Sequence, residues 1–250
     1  RRKLGDFAQL SAEVATDALK AATGAWDRGR GAWPQSSVAE RVKAIEAFRE
    51  GMRETRDEVV RLLMWEIGKP YASACKEFDR TVEYVDKTIE ALRALDREQS
   101  VFQSHSGVMA QVRRAPLGVC LCMGPFNYPL NECYTTLIPA LAMGNTAVVK
   151  LPRLGMLCNL PLLKALAAAF PPGVVNVIGG DGKTVVSPII SSGDVDVLAF
   201  IGSSKVAGII EKQHPKPWRL TTILGMDAKN PAIVLDDADV DLAVKMCLKG

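Results

Sequence analysis

The sequence predicts an α/β protein with a doubly wound, mostly parallel β-sheet, preceded by a helical layer and a β-hairpin. From residue 117 onwards, apolar runs of strand length alternate with segments of helical length. The runs at 174–178 and 231–235 are rich in Val, Ile and Leu, which is typical of parallel strands buried on both faces. Residues 1–100 instead repeat apolar side chains at spacings of three and four, which indicates amphipathic helices.

The helical layer, residues 1–100, contains three apolar stripes. Ser37 and Glu40 have the spacing of a capping box, which predicts that a helix begins there. A second stripe ends at Gly68, a typical helix terminator. The stripes comprise Val38, Val42, Ile45, Phe48 and Met52; Val59, Leu63 and Ile67; and Val82, Val85, Ile89, Leu92 and Leu95.

A hairpin is expected within residues 101–116, because Val108, Ala110 and Val112 alternate with other residues. Residues 117–250 then form the predicted α/β core. Its strands are predicted at 117–123, 146–150, 174–178, 195–201, 219–224 and 231–235, and its helices at 131–143, 158–170, 183–192, 203–213 and 240–248.

Composition excludes several classes of function. The 31 basic and 28 acidic side chains are interspersed and give a net charge of +3, so neither nucleic acid nor a membrane is an expected partner. Two histidines and six cysteines without metal-ligand spacing argue against a zinc site. Thiols of this kind indicate a reducing, intracellular compartment, and we expect the cytoplasm or alternatively an organellar matrix.

The segment Gly124-Pro125-Phe126-Asn127-Tyr128-Pro129-Leu130 directly follows the first core strand. Gly, Pro and Asn favour a turn here rather than more sheet. The turn places Asn127 at the carboxyl end of a strand, where open α/β sheets bind ligands. Taken alone, a segment of this kind is more often an ordinary strand-to-helix connection.

Two other predicted strand ends carry polar groups. Lys150 and Arg153 follow one strand, and a cation there suits ribose hydroxyls or a phosphate. Phe200-Ile201-Gly202-Ser203 runs from another strand into a Ser-capped helix, whose free amides suit a pyrophosphate. The alternatives are a solvated strand end and an ordinary helix cap. The glycine fingerprint GxGxxG does not follow the first strand.

Six segments, taken in order, resemble the aldehyde dehydrogenase superfamily. The residues Pro116-Leu117-Gly118-Val119 and Asn127-Tyr128-Pro129 are similar to those of one branch of the family, the non-phosphorylating, NADP-dependent glyceraldehyde-3-phosphate dehydrogenases. The helix end Glu66-Ile67-Gly68-Lys69 also fits. The segments are Gly124 to Leu130, Pro139-Ala140-Leu141-Ala142-Met143-Gly144-Asn145, Val149-Lys150, Pro172-Gly173-Val174-Val175-Asn176, Phe200-Ile201-Gly202-Ser203 and Lys229-Asn230-Pro231-Ala232-Ile233-Val234.

The resemblance implies the family's Rossmann variant, an NADP or NAD cofactor, and thiol-based oxidation of an aldehyde. It implies that the amide of Asn127 holds the oxyanion, and that Tyr128 lies near a substrate phosphate. Arg153 stands where NAD-preferring relatives carry a Glu, so we expect a preference for NADP. The residues that the resemblance assigns to the cofactor are Gly124, Phe126, Lys150, Arg153, Gly180, Phe200, Gly202 and Ser203.

Two departures from the family pattern concern catalysis. Gly225 occupies the position of the general-base Glu, and Asp227 is the nearby carboxylate that could replace it or could be structural. Extended backbone would keep residues 225 and 227 on one face. The family's nucleophilic segment is not in this chain; Cys247 does not match it, and we expect Cys122 and Cys133 to be buried core thiols.

The expected function is therefore NADP-dependent oxidation of an aldehyde, with glyceraldehyde 3-phosphate as a candidate substrate and with the nucleophile and the catalytic domain beyond this chain. These 250 residues alone are expected to be inactive. Alternatives are a catalytically dead structural subunit, a dinucleotide-binding sensor, and an acylating enzyme that needs no hydrolytic base. The resemblance also implies a homodimer or homotetramer assembled through the hairpin.

Overall fold

The computed structural model describes residues 3–227 and 231–248. The helical layer forms as predicted: Ser37 Oγ accepts the Glu40 N–H at 3.2 Å, and the Glu40 carboxylate accepts the Ser37 N–H at 2.7 Å. Gly68, in the left-handed region at φ +78°, ends another helix. The helices of this layer are α1 (Ala12–Trp26), α2 (Ala32–Gln35), α3 (Val38–Glu54), α4 (Arg56–Ile67) and α5 (Tyr71–Gln99).

A short antiparallel hairpin and a five-stranded parallel sheet follow. The hairpin is β1 (Gln103–His105) and β2 (Val108–Ala110). The sheet has the order β5-β4-β3-β6-β7, and all its neighbouring strands are parallel. The doubly wound prediction is confirmed. The strands of the sheet are β3 (Val119–Met123), β4 (Thr146–Lys150), β5 (Val175–Ile178), β6 (Val197–Gly202) and β7 (Thr221–Met226).

Helices cover both faces of the sheet because alternate strand residues point to opposite sides. Cys120 and Cys122 face a core shared with α3, α4 and α5, whereas Val119 and Leu121 face a second core that includes residues of α1. The helices of the α/β core are α6 (Asn131–Ala142), α7 (Leu163–Ala169), α8 (Gly182–Ser191), α9 (Ser204–Gln213) and α10 (Val240–Cys247).

Two sequence predictions were wrong. The segment 231–235 is not a strand, and Ile233 is 83% exposed. An apolar run becomes a strand only where a neighbour satisfies its backbone groups, and none of the described strands pairs with this one. The helix expected at 158–170 begins instead as a 3₁₀ helix (Leu157–Leu162), with Pro161, which has no N–H to donate, inside it.

Candidate functional site

The sheet reverses its winding between β3 and β6. Met123 is paired with Phe200 at the carboxyl ends of these two strands. From β3 the chain continues to β4 and β5 on one side, whereas β6 and β7 lie on the other. The crevice outside such a switch point is where α/β sheets bind their ligands. The structure thus places the turn after β3 beside the start of α9.

The turn after β3 presents Asn127 to solvent between two exposed aromatic rings. Phe126 and Tyr128 are 60% and 45% exposed. Gly124 permits a close approach to α6, because a Cβ at this position would lie 2.6 Å from Cys133 Sγ and 2.8 Å from its backbone nitrogen. The side chain of Asn127 is exposed rather than packed in the core.

The helical layer holds this turn. Glu77 of α5, which is buried, accepts the N–H groups of Leu130 and Asn131 at 3.1 and 3.2 Å. Its other carboxylate oxygen forms an ion pair with Lys69. Lys69 Nζ in turn lies 3.7 Å from the centroid of the Tyr128 ring. Sequence reasoning missed Glu77, although it noted Lys69 as part of a helix-end segment.

Lys150 is the last residue of β4 and is in register with Met123 of β3. Burial lowers the pKa of its ammonium group, and the nearby charge of Asp181 opposes this shift. Arg153 is exposed in the following loop. That loop leads to Met156, whose N–H donates to the Glu66 carboxylate at 3.1 Å.

Gly180 lies beyond the end of β5, two strands away from the turn. Its φ of +145° lies in a region that favours glycine. The position is buried: an added Cβ would lie 2.9 Å from Val185 Cγ1 and 3.5 Å from the backbone nitrogen of Leu10. The segment preceding α1 therefore packs against this end of the sheet.

The connection from β6 to α9 forms as expected. Gly202 makes room for the Phe200 ring, since a Cβ on Gly202 would lie 2.5 Å from its Cζ. Ser203 is the N-cap of α9, and its hydroxyl accepts the Val206 N–H at 3.4 Å. The Ser204 N–H donates to the Asp227 carboxylate at 3.3 Å. Phe200 itself is buried, so its ring belongs to the core.

The extended backbone expected from Gly225 to Asp227 is not present. Strand β7 ends at Met226, and Asp227 has a φ of +34°, so the backbone is not extended between the two positions. Alternation along a strand therefore does not apply. The carboxylate turns to the amino end of α9. Of the adjacent segment 229–234 matched in the sequence, residues 229 and 230 lie outside the described residues.

The thiols beside the turn are buried. Burial raises the pKa of Cys122 and of Cys133 to about 12 in each case. Such groups stay protonated near neutral pH, and the thiolate is the nucleophilic form of cysteine. Neither is suited to attack a substrate. Within the described ranges, no cluster of three His, Cys, Asp or Glu side chains could hold a metal ion, and no helix is long and apolar enough to cross a membrane.

A sequence model of the aldehyde dehydrogenase family matches residues 1–250. The chain belongs to the aldehyde dehydrogenase family. NADP-dependent glyceraldehyde-3-phosphate dehydrogenase of Streptococcus equinus is 33% identical over 227 residues, covering 88% of this chain and 46% of the relative. Chloroplastic betaine aldehyde dehydrogenase of Beta vulgaris is 30% identical over 264 residues, covering 99% and 50%. The chain spans about half the length of these relatives.

Two solved dehydrogenase structures share the fold. The NADP-dependent glyceraldehyde-3-phosphate dehydrogenase of Bacillus halodurans, complexed with NADP, superposes with a TM-score of 0.86 at 30% identity, covering 99% of this chain and 52% of that one. The glyceraldehyde-3-phosphate dehydrogenase GapN of Methanocaldococcus jannaschii, also complexed with NADP, has a TM-score of 0.86 at 25% identity, covering 99% and 53%. The predicted resemblance is confirmed at the level of the family and the fold.

The residues at the sheet edge fit a dinucleotide. The exposed amino end of α9 suits a pyrophosphate, and the half-buried ammonium of Lys150 lies two strands from it. Asn127 and Ser203 follow adjacent strands, whereas Gly180 lies at the far edge. Among the described residues, the Asp227 carboxylate, which accepts the Ser204 N–H, opposes the binding of an anion at the start of α9.

Proposed function

We propose that the intact protein oxidises an aldehyde to a carboxylic acid with NADP as the oxidant. The observation that carries the proposal is the exposed Asn127 amide at the β3–β6 switch point of an aldehyde dehydrogenase fold. A fixed amide donor stabilises the negative charge that develops on a carbonyl oxygen under attack. Family relatives named as aldehyde-oxidising enzymes support the same chemistry.

In this proposal the chain's residues bind and orient the cofactor. Ser203 and the α9 amides hold the pyrophosphate, Lys150 donates to the adenosine ribose, and Gly202 allows close approach of the backbone. Phe126 and Gly124 would contact the nicotinamide, and Gly180 would lie near the adenine. Phe200, which is buried on β6, would support the site from the core. When bound, NADP accepts the hydride that leaves the substrate carbon.

The chemical step needs a cysteine thiolate that attacks the aldehyde carbon. We place this nucleophile outside these 250 residues, because the two thiols beside the turn are buried and the chain spans about half of its relatives. Hydride loss leaves a thioester, which water cleaves to the acid and the free thiol. Asn127 donates to the carbonyl oxygen throughout.

The proposed substrate is a small phosphorylated aldehyde such as glyceraldehyde 3-phosphate. Support comes from the Streptococcus equinus relative and from the exposed Tyr128 beside the Asn127 amide. Arg153, exposed after β4, supports NADP because a guanidinium pairs with a 2′-phosphate.

Asp227 is the proposed replacement for the absent general base, in competition with a role as a cap of α9. The cap is the role its contact with Ser204 supports. Single-turnover kinetics of Asp227→Asn in the native protein separate the two roles. A base role predicts slow thioester hydrolysis with normal hydride transfer. A cap role predicts equal hydrolysis rates, because the Asn side-chain oxygen can still accept the Ser204 N–H.

A catalytically dead, dinucleotide-binding subunit is the alternative, and Gly225 at the position of the family base favours it. The deciding experiment incubates the native protein with NADP or NAD and a panel of phosphorylated and unphosphorylated aldehydes. Formation of reduced NADP with a phosphorylated aldehyde supports the enzyme. Cofactor binding without turnover of any aldehyde supports the alternative.

The proposed assembly is a homodimer or homotetramer in the cytoplasm or an organellar matrix. Every residue of β1 and β2 is exposed, and unpaired strand edges favour association with another chain. Sedimentation of the native protein tests the assembly. A monomer at all concentrations would contradict it.

A further inference from the structure

Two carboxylates of the helical layer reach across to the loops at the carboxyl edge of the sheet. Glu77 of α5 accepts the N–H groups of Leu130 and Asn131, which end the turn that carries Asn127. Glu66 of α4 accepts the N–H groups of Met156 and Leu157 at 3.1 and 2.9 Å. Each carboxylate thus occupies the amino end of a helix that begins directly after a loop of the proposed site.

The Glu77 carboxylate is unusual because it is a charged group that is fully buried. The Glu77 side chain is 0% exposed, and Lys69, its ion-pair partner, is 14% exposed. A buried charge is tolerated where it is paired and its oxygens are hydrogen-bonded. Here one oxygen meets two backbone amides and the other meets Lys69. A neutral helix cap such as Ser would satisfy an amide without burying a charge.

Lys69 extends this network to Tyr128, the residue directly after Asn127. Its ammonium contacts the face of the Tyr128 ring, a cation–π contact. The segment following Asn127 is therefore attached to the helical layer at Tyr128 and again at Leu130 and Asn131. The Asn127 side chain is exposed, whereas the residues that follow it are held by these contacts.

We propose that Glu77 and Lys69 are positioning residues for the Asn127 amide, and that Glu66 is the positioning residue for the loop that carries Arg153. This inference rests on the proposed function, which assigns Asn127 to the oxyanion and Arg153 to the cofactor. An oxyanion donor acts only at the correct distance, and a displacement of about 1 Å costs about 10²-fold in rate. The helical layer thereby controls the chemical step through Glu77 and cofactor selection through Glu66.

The test compares Glu77→Gln and Glu66→Gln in the native protein, with Glu83→Gln, exposed on the same helix α5, as the matched control. For Glu77→Gln we expect kcat to fall about 10–10²-fold, with a smaller rise in the KM for NADP than Glu66→Gln gives. For Glu66→Gln we expect a higher KM for NADP with kcat retained. Glu83→Gln should match the wild type in both.

Hydrogen exchange gives a readout that does not depend on activity. Exchange at Leu130 and Asn131 should accelerate in Glu77→Gln, and exchange at Met156 and Leu157 should accelerate in Glu66→Gln, each without the other. Lys69→Met should reproduce the Glu77→Gln pattern, and Lys69→Arg, which keeps the charge, should restore the wild-type rate. If Glu77→Gln does not fold, the comparison of Lys69→Met with Lys69→Arg tests the same contact.

Unchanged exchange at both loops would overturn the proposal. So would an active enzyme in which the two Gln variants lower kcat and raise KM to the same extent, because a general loss of stability would explain that result. A wild-type protein without NADP-dependent aldehyde oxidation would defeat the proposed function instead. In that case selective exchange still supports loop positioning, and unselective exchange still contradicts it.

Discussion

Arg153 and Lys150 lie close in sequence at the end of β4 but differ in their surroundings. Arg153 is exposed and follows the strand, whereas Lys150 belongs to the strand and is half-buried. An exposed guanidinium contributes little to folding. Binding of a cofactor is therefore the process in which we expect Arg153 to matter.

Arg153→Glu should reverse the proposed preference for NADP. A carboxylate repels a 2′-phosphate and accepts hydrogen bonds from ribose hydroxyls, so the dissociation constant for NADP should rise about tenfold or more, by the loss of one charge-assisted contact. The constant for NAD should fall or stay the same. Calorimetric titration with both cofactors measures this, and an unreversed preference would count against the assigned role.

Lys150→Met should stabilise the fold and weaken cofactor binding. Burial lowers the pKa of Lys150 below its ordinary value of 10.5. Between the lowered pKa and 10.5 the folded chain binds fewer protons than the unfolded chain, so this group makes stability rise with pH there. At neutral pH both states are charged and the full burial cost applies.

Removing the Lys150 charge should therefore raise the free energy of unfolding at neutral pH by about 0.5–2 kcal/mol. The alkaline rise in stability due to this group should disappear. Urea unfolding at neutral and alkaline pH measures both effects. Lower stability of Lys150→Met at neutral pH would mean that its attraction to Asp181 outweighs the burial cost.

At the scale of elements, the contact between the β3 turn and α6 depends on Gly124. A Cβ there would meet the backbone nitrogen of Cys133 at 2.8 Å, and backbone cannot move aside as a flexible side chain can. Gly124→Ala should destabilise the fold by about 1–3 kcal/mol. Gly182→Ala, at the start of α8, is the matched control because nothing lies within 4 Å of its added Cβ.

Urea unfolding of the two alanine variants measures the difference. If Gly124→Ala were as stable as Gly182→Ala, α6 would have to shift without cost, and the close approach would not constrain the turn. A shift of this kind would also displace Asn127. The turn and helix should therefore be treated as one unit.

Sequence patterns predicted the elements whose signals are local. The capping box at Ser37, the stop at Gly68 and the buried strands all depend on neighbouring residues. Glu77 could not be predicted this way, because its amide partners Leu130 and Asn131 lie 53 and 54 residues further along the chain. A long-range contact of this kind leaves no periodic pattern in the sequence.

The opposite error arose at 231–235, where a strong local signal did not produce a strand. Strand formation depends on a neighbour, which composition does not reveal. For the site, local motifs located Asn127, Lys150 and Ser203 at strand ends. The positive φ of Asp227 could not be predicted, because such a backbone conformation is uncommon in residues other than glycine.

At the scale of the whole molecule, one side of the sheet opens into an apolar groove of about 820 Å³. It is lined in part by Leu117, Ala199, Ile201 and Ile223, and Ile223 on the edge strand β7 is 60% exposed.

The division of the chain into residues 1–100, 101–116 and 117–250 stays a proposal. Helix α10 has no buried residue.

The thiols should report how the molecule is packed. Cys120, Cys122, Cys133 and Cys158 are buried, whereas Cys75 is partly exposed and Cys247 is exposed. Alkylation of the folded chain should modify Cys247 first and Cys75 more slowly, with the buried thiols reacting only after unfolding, because reaction needs an accessible thiolate. Mass spectrometry of peptides measures each site, and rapid labelling of Cys122 or Cys133 would contradict the packing around the turn.

The proposed chemistry depends on the Asn127 amide, and the decisive measurement is kcat of Asn127→Ala in the native protein. Because the side chain is exposed, thermal unfolding and the dissociation constant for NADP should match the wild type. Loss of one oxyanion donor should lower kcat by about 10²–10³-fold. An unchanged kcat would contradict the role of the turn in catalysis.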